Sequence, residues 1–219
     1  STVEVQGKGM VKPTIERDMD AVRALGIKIA EGQMPKIYLP DEDRAKAKEL
    51  LIQRPLGPPV LALSLGASRK TKMWPVEYFT ELTNSWIAQT GGSVATVAGP
   101  AETEILRKFE AGLTHSRGVQ IFQNLPVRTL AALFETCNLF AGNDSGPKHV
   151  AVAVGIPTVT MIGPEHPYEW HPYSRDRHPY FFMEDLTCRK DAQPGMPPWC
   201  GIDDCVVEKH KCMRQILPE

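Results

Sequence analysis

Two loops of this 219-residue chain carry the residue types that grip a pyrophosphate. The first is Gly66-Ala-Ser-Arg-Lys-Thr-Lys-Met-Trp-Pro75. Arg69, Lys70 and Lys72 precede a predicted helix, whose first N–H groups lack intrahelical acceptors and attract anions. The loop looks like an NTPase phosphate loop but fails as one. Thr71 stands where its second Gly belongs, and Met73 where Ser or Thr must bind magnesium. A cationic loop beyond a central strand reads as a phosphate site, with a merely solvated loop as the bland alternative. The second loop is Gly142-Asn-Asp-Ser-Gly-Pro-Lys-His-Val-Ala151. Ser145 and Gly146 can present N–H groups to a diphosphate, and Gly146 allows an oxygen close to the backbone. His149, in the first helical turn, can donate to the same oxygens. Asp144 and Ser145 also fit as helix N-caps.

Other clusters are less specific. Gly99-Pro-Ala-Glu102 ends a strand, and Glu102 opens the next helix. A carboxylate there serves either the helix dipole or ribose hydroxyls. The proline- and aromatic-rich stretch Gly163 to Tyr173 reads as a pocket wall, and His166 and His171 lack companions for a metal site. The tail spaces its cysteines as Cys188-x11-Cys200-x4-Cys205-x6-Cys212, with no Cys-x2-Cys pair. A structural zinc, two disulfides or plain thiols all remain open, and a structural role is favoured over a catalytic one. Cys137 reads as a core thiol. No Gly-x-Gly-x-x-Gly follows a strand, and no Gly-x-Ser-x-Gly elbow exists, which argues against dinucleotide oxidoreductases and serine hydrolases.

The elements that must position these loops alternate strictly. A polar lead-in gives way to a helix from Thr14, as its cap, to Gly26, then an extended piece at 36–39 and a charged helix from about Asp41 to Leu51. Strands are expected at 60–65, 93–98, 119–122, 138–141, 158–162 and 180–183, with helices between them at 75–89, 102–111, 127–136 and 147–154. This is the pattern of a doubly wound, parallel α/β sheet, Rossmann-like, whose ligands sit beyond the strands' carboxyl ends. We expect a connector at 1–57, a nucleotide-binding domain at 58–183 and a Cys-rich tail at 184–219.

Composition narrows the partners. Basic and acidic residues number 25 and 26, a net charge of −1, so nothing points to nucleic acid. No apolar run reaches the ~20 residues of a membrane span, and the first residues are not a secretory signal. A cytoplasmic address follows, with peripheral association at the inner membrane as its variant.

Taken in order, these motifs resemble a known family. Lys72-Met-Trp-Pro75 with Glu77 to Leu82, Asn143 to Ala153, Gly155-Ile-Pro-Thr-Val159, Gly163-Pro164 and Tyr168 to Tyr173 are similar to segments of glycosyltransferase family 9, the ADP-heptose–lipopolysaccharide heptosyltransferases. The resemblance spans roughly Ile15 to Phe182. It implies the C-terminal, donor-binding half of a GT-B enzyme that inverts configuration and needs no metal or other cofactor. Gly66, Lys72, Glu102, Asp144, Ser145, Gly146 and His149 would then bind a nucleotide-diphospho-sugar such as ADP-heptose, with Lys72 stabilising the leaving diphosphate and Glu102 holding the ribose. It also implies that the general base, and most contacts to a glycolipid or saccharide acceptor, belong to an N-terminal domain not in this sequence, so the fragment alone should transfer poorly. Two alternatives stand beside it: a non-catalytic nucleotide-binding or assembly module, and a sugar-nucleotide epimerase-like domain.

Overall fold

Short apolar runs bounded by Gly and Pro become strands because both faces of the sheet are covered. The computed structural model describes residues 12–189, 200, 205 and 210–218. Six parallel strands, β1 (Val60–Ser64), β2 (Ser93–Ala98), β3 (Val119–Gln123), β4 (Leu139–Asn143), β5 (Thr158–Ile162) and β6 (Tyr180–Phe182), lie in the order β3-β2-β1-β4-β5-β6. The chain order reverses between β1 and β4, the switch point where open α/β sheets bind ligands. The register pairs Ser64 with both Val97 and Gly142. The loops after β1, β2 and β4 therefore leave the same edge together.

Side chains alternate across β1 and feed two cores. Leu61, Leu63 and Leu65 face Phe79 of α3 (Val76–Thr90) and Leu106 and Phe109 of α4 (Thr103–Ala111). Val60 and Ala62 face Leu133 and Phe134 of α5 (Val127–Glu135) and Ala151 of α6 (Gly146–Ala153). Phe79, Phe109 and Phe134 are fully buried, and truncating such a side chain to Ala typically costs about 3–5 kcal/mol. Before the sheet, α1 (Thr14–Ala24) buries no residue, whereas α2 (Asp41–Gln53) seats Ala47 with Leu39 against Ala131 and Ala132 of α5.

The tail joins the first core. Cys212 and Met213 of α8 (Lys211–Arg214), with Ile216, pack in the same cluster as Leu61 and Trp74. Trp74 Nε1 donates to the Ile216 carbonyl at 2.8 Å, and Tyr78 Oη donates to that of Arg214 at 3.2 Å. The small helix α7 (Pro167–Trp170) follows β5.

Several expected details change. Thr14 is the first helical residue of α1, not its cap; Pro13 holds the cap position without a side-chain bond. The piece at 36–39 forms no strand, and its Ile37 N–H donates to the Ala153 carbonyl at 3.0 Å. β4 runs to Asn143, beyond the expected end at 141, because the added residues pair with β5 through Gly142–Thr160 and Asn143–Met161.

Candidate functional site

The second motif shapes the site through its polar residues, not through capping. Ser145 occupies the N-cap of α6 with no side-chain cap bond; its hydroxyl turns back to the Asn143 carbonyl at 3.4 Å. Asp144 does not cap either. It is buried, 2% exposed, and one carboxylate oxygen lies 3.1 Å from Lys72 Nζ. The other pairs with Lys148, one helical turn on in α6 and fully buried. Lys148 Nζ also donates to the Trp170 carbonyl at 2.8 Å. Burial alone would push the Asp144 carboxyl up, but Lys148 and Lys72 outweigh it and hold the pKa below the usual range. One anion set against two cations leaves a local charge of +1 where the α6 N–H groups emerge, a combination that attracts anions. A Cβ added at Gly146 would meet nothing within 4 Å, so the backbone there is open to a ligand.

Asn143 holds the two loops together. Its Oδ1 accepts from Trp74 N–H at 2.8 Å and its Nδ2 donates to the Leu65 carbonyl at 2.8 Å. That fully buried side chain fixes the loop carrying Lys72 to the end of β4. The turn itself is a 3-10 element at Lys70–Lys72, closed by Lys72 N–H to Arg69 O at 3.1 Å. Lys72 Nζ lies 5.8 Å from the Trp170 ring centroid, near the distance at which an aromatic face still attracts a cation. Arg69 ion-pairs with Glu165.

His149 stands beside this cluster. Its Nδ1 lies 2.5 Å from Tyr173 Oη and its Nε2 4.0 Å from Asp144. Burial, then Lys148, push its pKa down to about 4, so it is neutral at pH 7. In the tautomer whose Nδ1 accepts from the Tyr173 hydroxyl, the ring proton sits on Nε2, where a ligand oxygen can take it as a hydrogen bond.

Glu102 sits across the switch point. It holds the N-cap position of α4 without capping it. Oε2 is buried with no hydrogen-bond partner, and burial raises the carboxyl pKa against a bond from Gly99. A side chain on Gly66 would overlap the Glu102 carboxylate where it now stands, so glycine there leaves the carboxylate its place. Glu102 lines a cleft of about 520 Å³ with Ser64, Val97, Phe122, Leu125 and Pro147. Pro147 belongs to α6, so the apolar cleft runs up to the cationic cluster. A flat ring fits the apolar part, hydroxyls the Glu102 side, and phosphates the lysine side.

Lys72, Asp144 and His149 thus converge, Glu102 and Gly66 meet next door, and Ser145 and Gly146 open α6 between them. The Gly163–Tyr173 loop is only partly a wall. Trp170 faces Lys72, but His171 is 3% exposed and donates from Nε2 to the His178 carbonyl at 2.8 Å, while His166 accepts from Tyr168 N–H at 3.1 Å. Sequence reasoning gave no role to Lys148 or Asn143 and placed Tyr173 only in the pocket wall. The four-residue spacing of Asp144 and Lys148 was the available signal for an ion pair; the bond between Tyr173 and His149 left none. Cys137 is a buried thiol, pushed up to about 12 by burial, in the second core.

Comparison with known proteins gives the fold family and the sequence family of the chain. A lipooligosaccharide heptosyltransferase 2 from Campylobacter jejuni is 29% identical over 178 residues, covering 78% of this chain and 53% of its own. The structure of Escherichia coli ADP-heptose lipopolysaccharide heptosyltransferase II superposes with a TM-score of 0.69 at 20% identity, covering 84% of this chain and 57% of that one. A family 9 glycosyl transferase from Veillonella parvula gives 0.66 at 23% identity, covering 77% and 48%. The fold is therefore that of GT-B heptosyltransferases, and the chain spans about half the length of these relatives. The family model for glycosyltransferase family 9 (heptosyltransferase) matches residues 4–193, and with that match over most of its length the chain belongs to this family.

Proposed function

We propose that this chain binds a nucleotide-diphospho-sugar, ADP-heptose in the first place, for heptosyl transfer to a lipopolysaccharide-core acceptor. The observation that carries the reading is the Lys72–Asp144–Lys148 cluster, with net charge +1, at the N-terminus of α6 and adjoining the Glu102 cleft. The diphosphate lies against Lys72, the amides of Ser145 and Gly146, and His149 Nε2. The nucleoside enters the cleft, with ribose hydroxyls donating to Glu102 Oε2. In the reaction the acceptor oxygen bonds to the anomeric carbon from the opposite face, the glycosidic C–O bond to phosphate breaks, and configuration inverts. The negative charge growing on the departing diphosphate meets Lys72 and the α6 N–H groups, which are preorganised and need no reorganisation. That is the task a divalent metal performs elsewhere, so none is required in this scheme.

The acceptor's proton goes to a carboxylate outside this cluster. Asp144 is neutralised by two lysines and Glu102 faces the nucleoside, so we place the base on the opposite lobe of the GT-B cleft. We also place the enzyme in the cytoplasm; no helix among the described residues is long and apolar enough to cross a membrane. Calorimetric titration with ADP, ADP-heptose and UDP-glucose tests the reading. Both adenine ligands should bind, and Lys72→Met should weaken them about ten- to a hundredfold, the worth of a charged hydrogen bond. Folded protein that binds none of the three, or Lys72→Met protein that binds as before, refutes it.

A further inference from the structure

The four tail cysteines open onto one cavity of about 90 Å³. Cys188, Cys200, Cys205 and Cys212 line it together with Thr71 and His210. No single element gathers them. Cys188 lies in a 3-10 turn (Thr187–Arg189), Cys212 in α8, and Cys200 and Cys205 outside helix and strand. None is disulfide-bonded.

Arg189 adds an independent observation. Its side chain is 5% exposed and its Nη2 donates to the Gly163 carbonyl at 2.6 Å. Nε and Nη1 are buried without a hydrogen-bond partner. Cys212 comes within hydrogen-bonding reach of this guanidinium, and Cys188 precedes it in the chain. A buried guanidinium requires an anion, and orphaned N–H groups mark an interaction still to be made. Neutral thiols supply no such charge. Thiolates do, and four of them gather only around a cation.

We propose that Cys188, Cys200, Cys205 and Cys212 bind a soft divalent cation, zinc or ferrous iron, as a structural tetrathiolate site. Binding releases four thiol protons to solvent and leaves a centre of net charge −2. Tetrahedral all-sulfur coordination selects these ions, and Cys200-x4-Cys205 keeps a ligand spacing common in such sites. Arg189 Nε and Nη1 donate to the sulfurs and offset their charge, as outer-shell groups do at metal centres. The sulfurs ring the cavity more widely than a bound shell: among the described residues no three His, Cys, Asp or Glu side chains are gathered closely enough to hold an ion. Binding therefore requires the four sulfurs to close inward from the positions they hold around the cavity.

This site braces the donor loop. His210 Nε2 donates to the carbonyl of Thr71, which lies between Lys70 and Lys72. Met213 and Thr71 both crowd Gly163, where an added Cβ would stand 2.9 Å from Met213 Sδ and 2.8 Å from Thr71 O. The tail therefore presses on the turn that carries Lys72, and the ion holds the tail.

The test is elemental analysis of the full chain purified without added metal or chelator, alongside Cys205→Ser, which changes an exposed residue. One zinc or iron per chain is expected, as is an intense charge-transfer spectrum after cobalt(II) replacement. Cys205→Ser should retain at least tenfold less metal after dialysis against chelator, at unchanged circular dichroism. Stripping the ion should speed amide exchange in residues 70–73. Metal-free protein with reactive tail thiols, tail disulfides found by mass spectrometry, or Cys205→Ser protein with its full metal content overturns the site. Unchanged exchange at 70–73 after stripping overturns the brace. No readout uses a nucleotide, so the outcome is separate from the donor reading.

Discussion

If Asp144 and Lys148 form the electrostatic centre of the site, their substitutions must not add. Lys148→Met keeps length and apolar stem but leaves Asp144, 2% exposed, with Lys72 alone. It also orphans the Trp170 carbonyl that Lys148 Nζ reaches at 2.8 Å. Opposite charges about 4 Å apart at an effective dielectric near 20 attract by about 4 kcal/mol. Breaking a buried pair from one side costs about 3–5 kcal/mol. Lys72 remains as a second counter-ion, so the lower end, about 3 kcal/mol, is expected for Lys148→Met. Asp144→Asn should cost about as much, because it strands a fully buried ammonium. The double variant removes both charges and should lose well under the sum, leaving a coupling of about 2 kcal/mol. Urea unfolding of the four proteins at pH 7 measures it, provided the slopes agree. Single losses that add to within about 0.5 kcal/mol would refute a coupled pair, and with it the charge arithmetic of the anion site.

Gly66→Ala should turn the Glu102 carboxylate aside, so thermal melts should shift little while calorimetry shows ADP affinity falling about as far as in Glu102→Ala; full ADP affinity in Gly66→Ala would refute the role given to Glu102. Asn143→Ala leaves the Trp74 N–H and Leu65 carbonyl unpaired, each costing about 1–3 kcal/mol, so chemical unfolding should show a loss of about 2 kcal/mol or more. His171, 3% exposed, has a pKa pushed down to about 4, first by burial and then by Lys148. The unfolded chain takes up the proton near pH 6.5 and the folded one only near 4, so stability present above pH 6.5 is lost as pH falls between those values, by about 3 kcal/mol for the full shift. His171→Phe should lessen that slope in melts from pH 7 to 4, leaving the equal share of His149, and an unchanged slope would assign the acid sensitivity elsewhere.

The strand ladder was legible because a parallel strand covered on both faces must be apolar throughout, as Val60 to Leu65 is. The loops with glycine at a strand end were legible for the same reason, since the sheet edge fixes where they open. Boundaries failed where pairing overrode composition: Asn143 reads as a loop residue, yet its register with Met161 keeps it in β4. Lys148 was hidden because a lysine in a helix normally faces water, and only Asp144 one turn away makes its burial tolerable. His171 read as a pocket wall residue but is locked behind His178 by contacts within the loop that no spacing rule encodes. The tail was opaque for a different reason. Its meaning lies in a carbonyl at Thr71 and an indole at Trp74, more than a hundred residues away in the chain.

That last separation bears on how the chain is made. Part of the apolar cover of β1, namely Cys212, Met213 and Ile216, is synthesised more than a hundred residues after the strand itself. During translation the sheet can pair and its helices can dock while this corner still faces water. Closing so distant a contact is slow, and a wet core edge on a growing chain is prone to wrong partners. A ribosome stalled a few codons before Met213 would therefore hold a nascent domain with its donor loop in sequence but its core unsealed, a natural substrate for chaperones until that turn emerges.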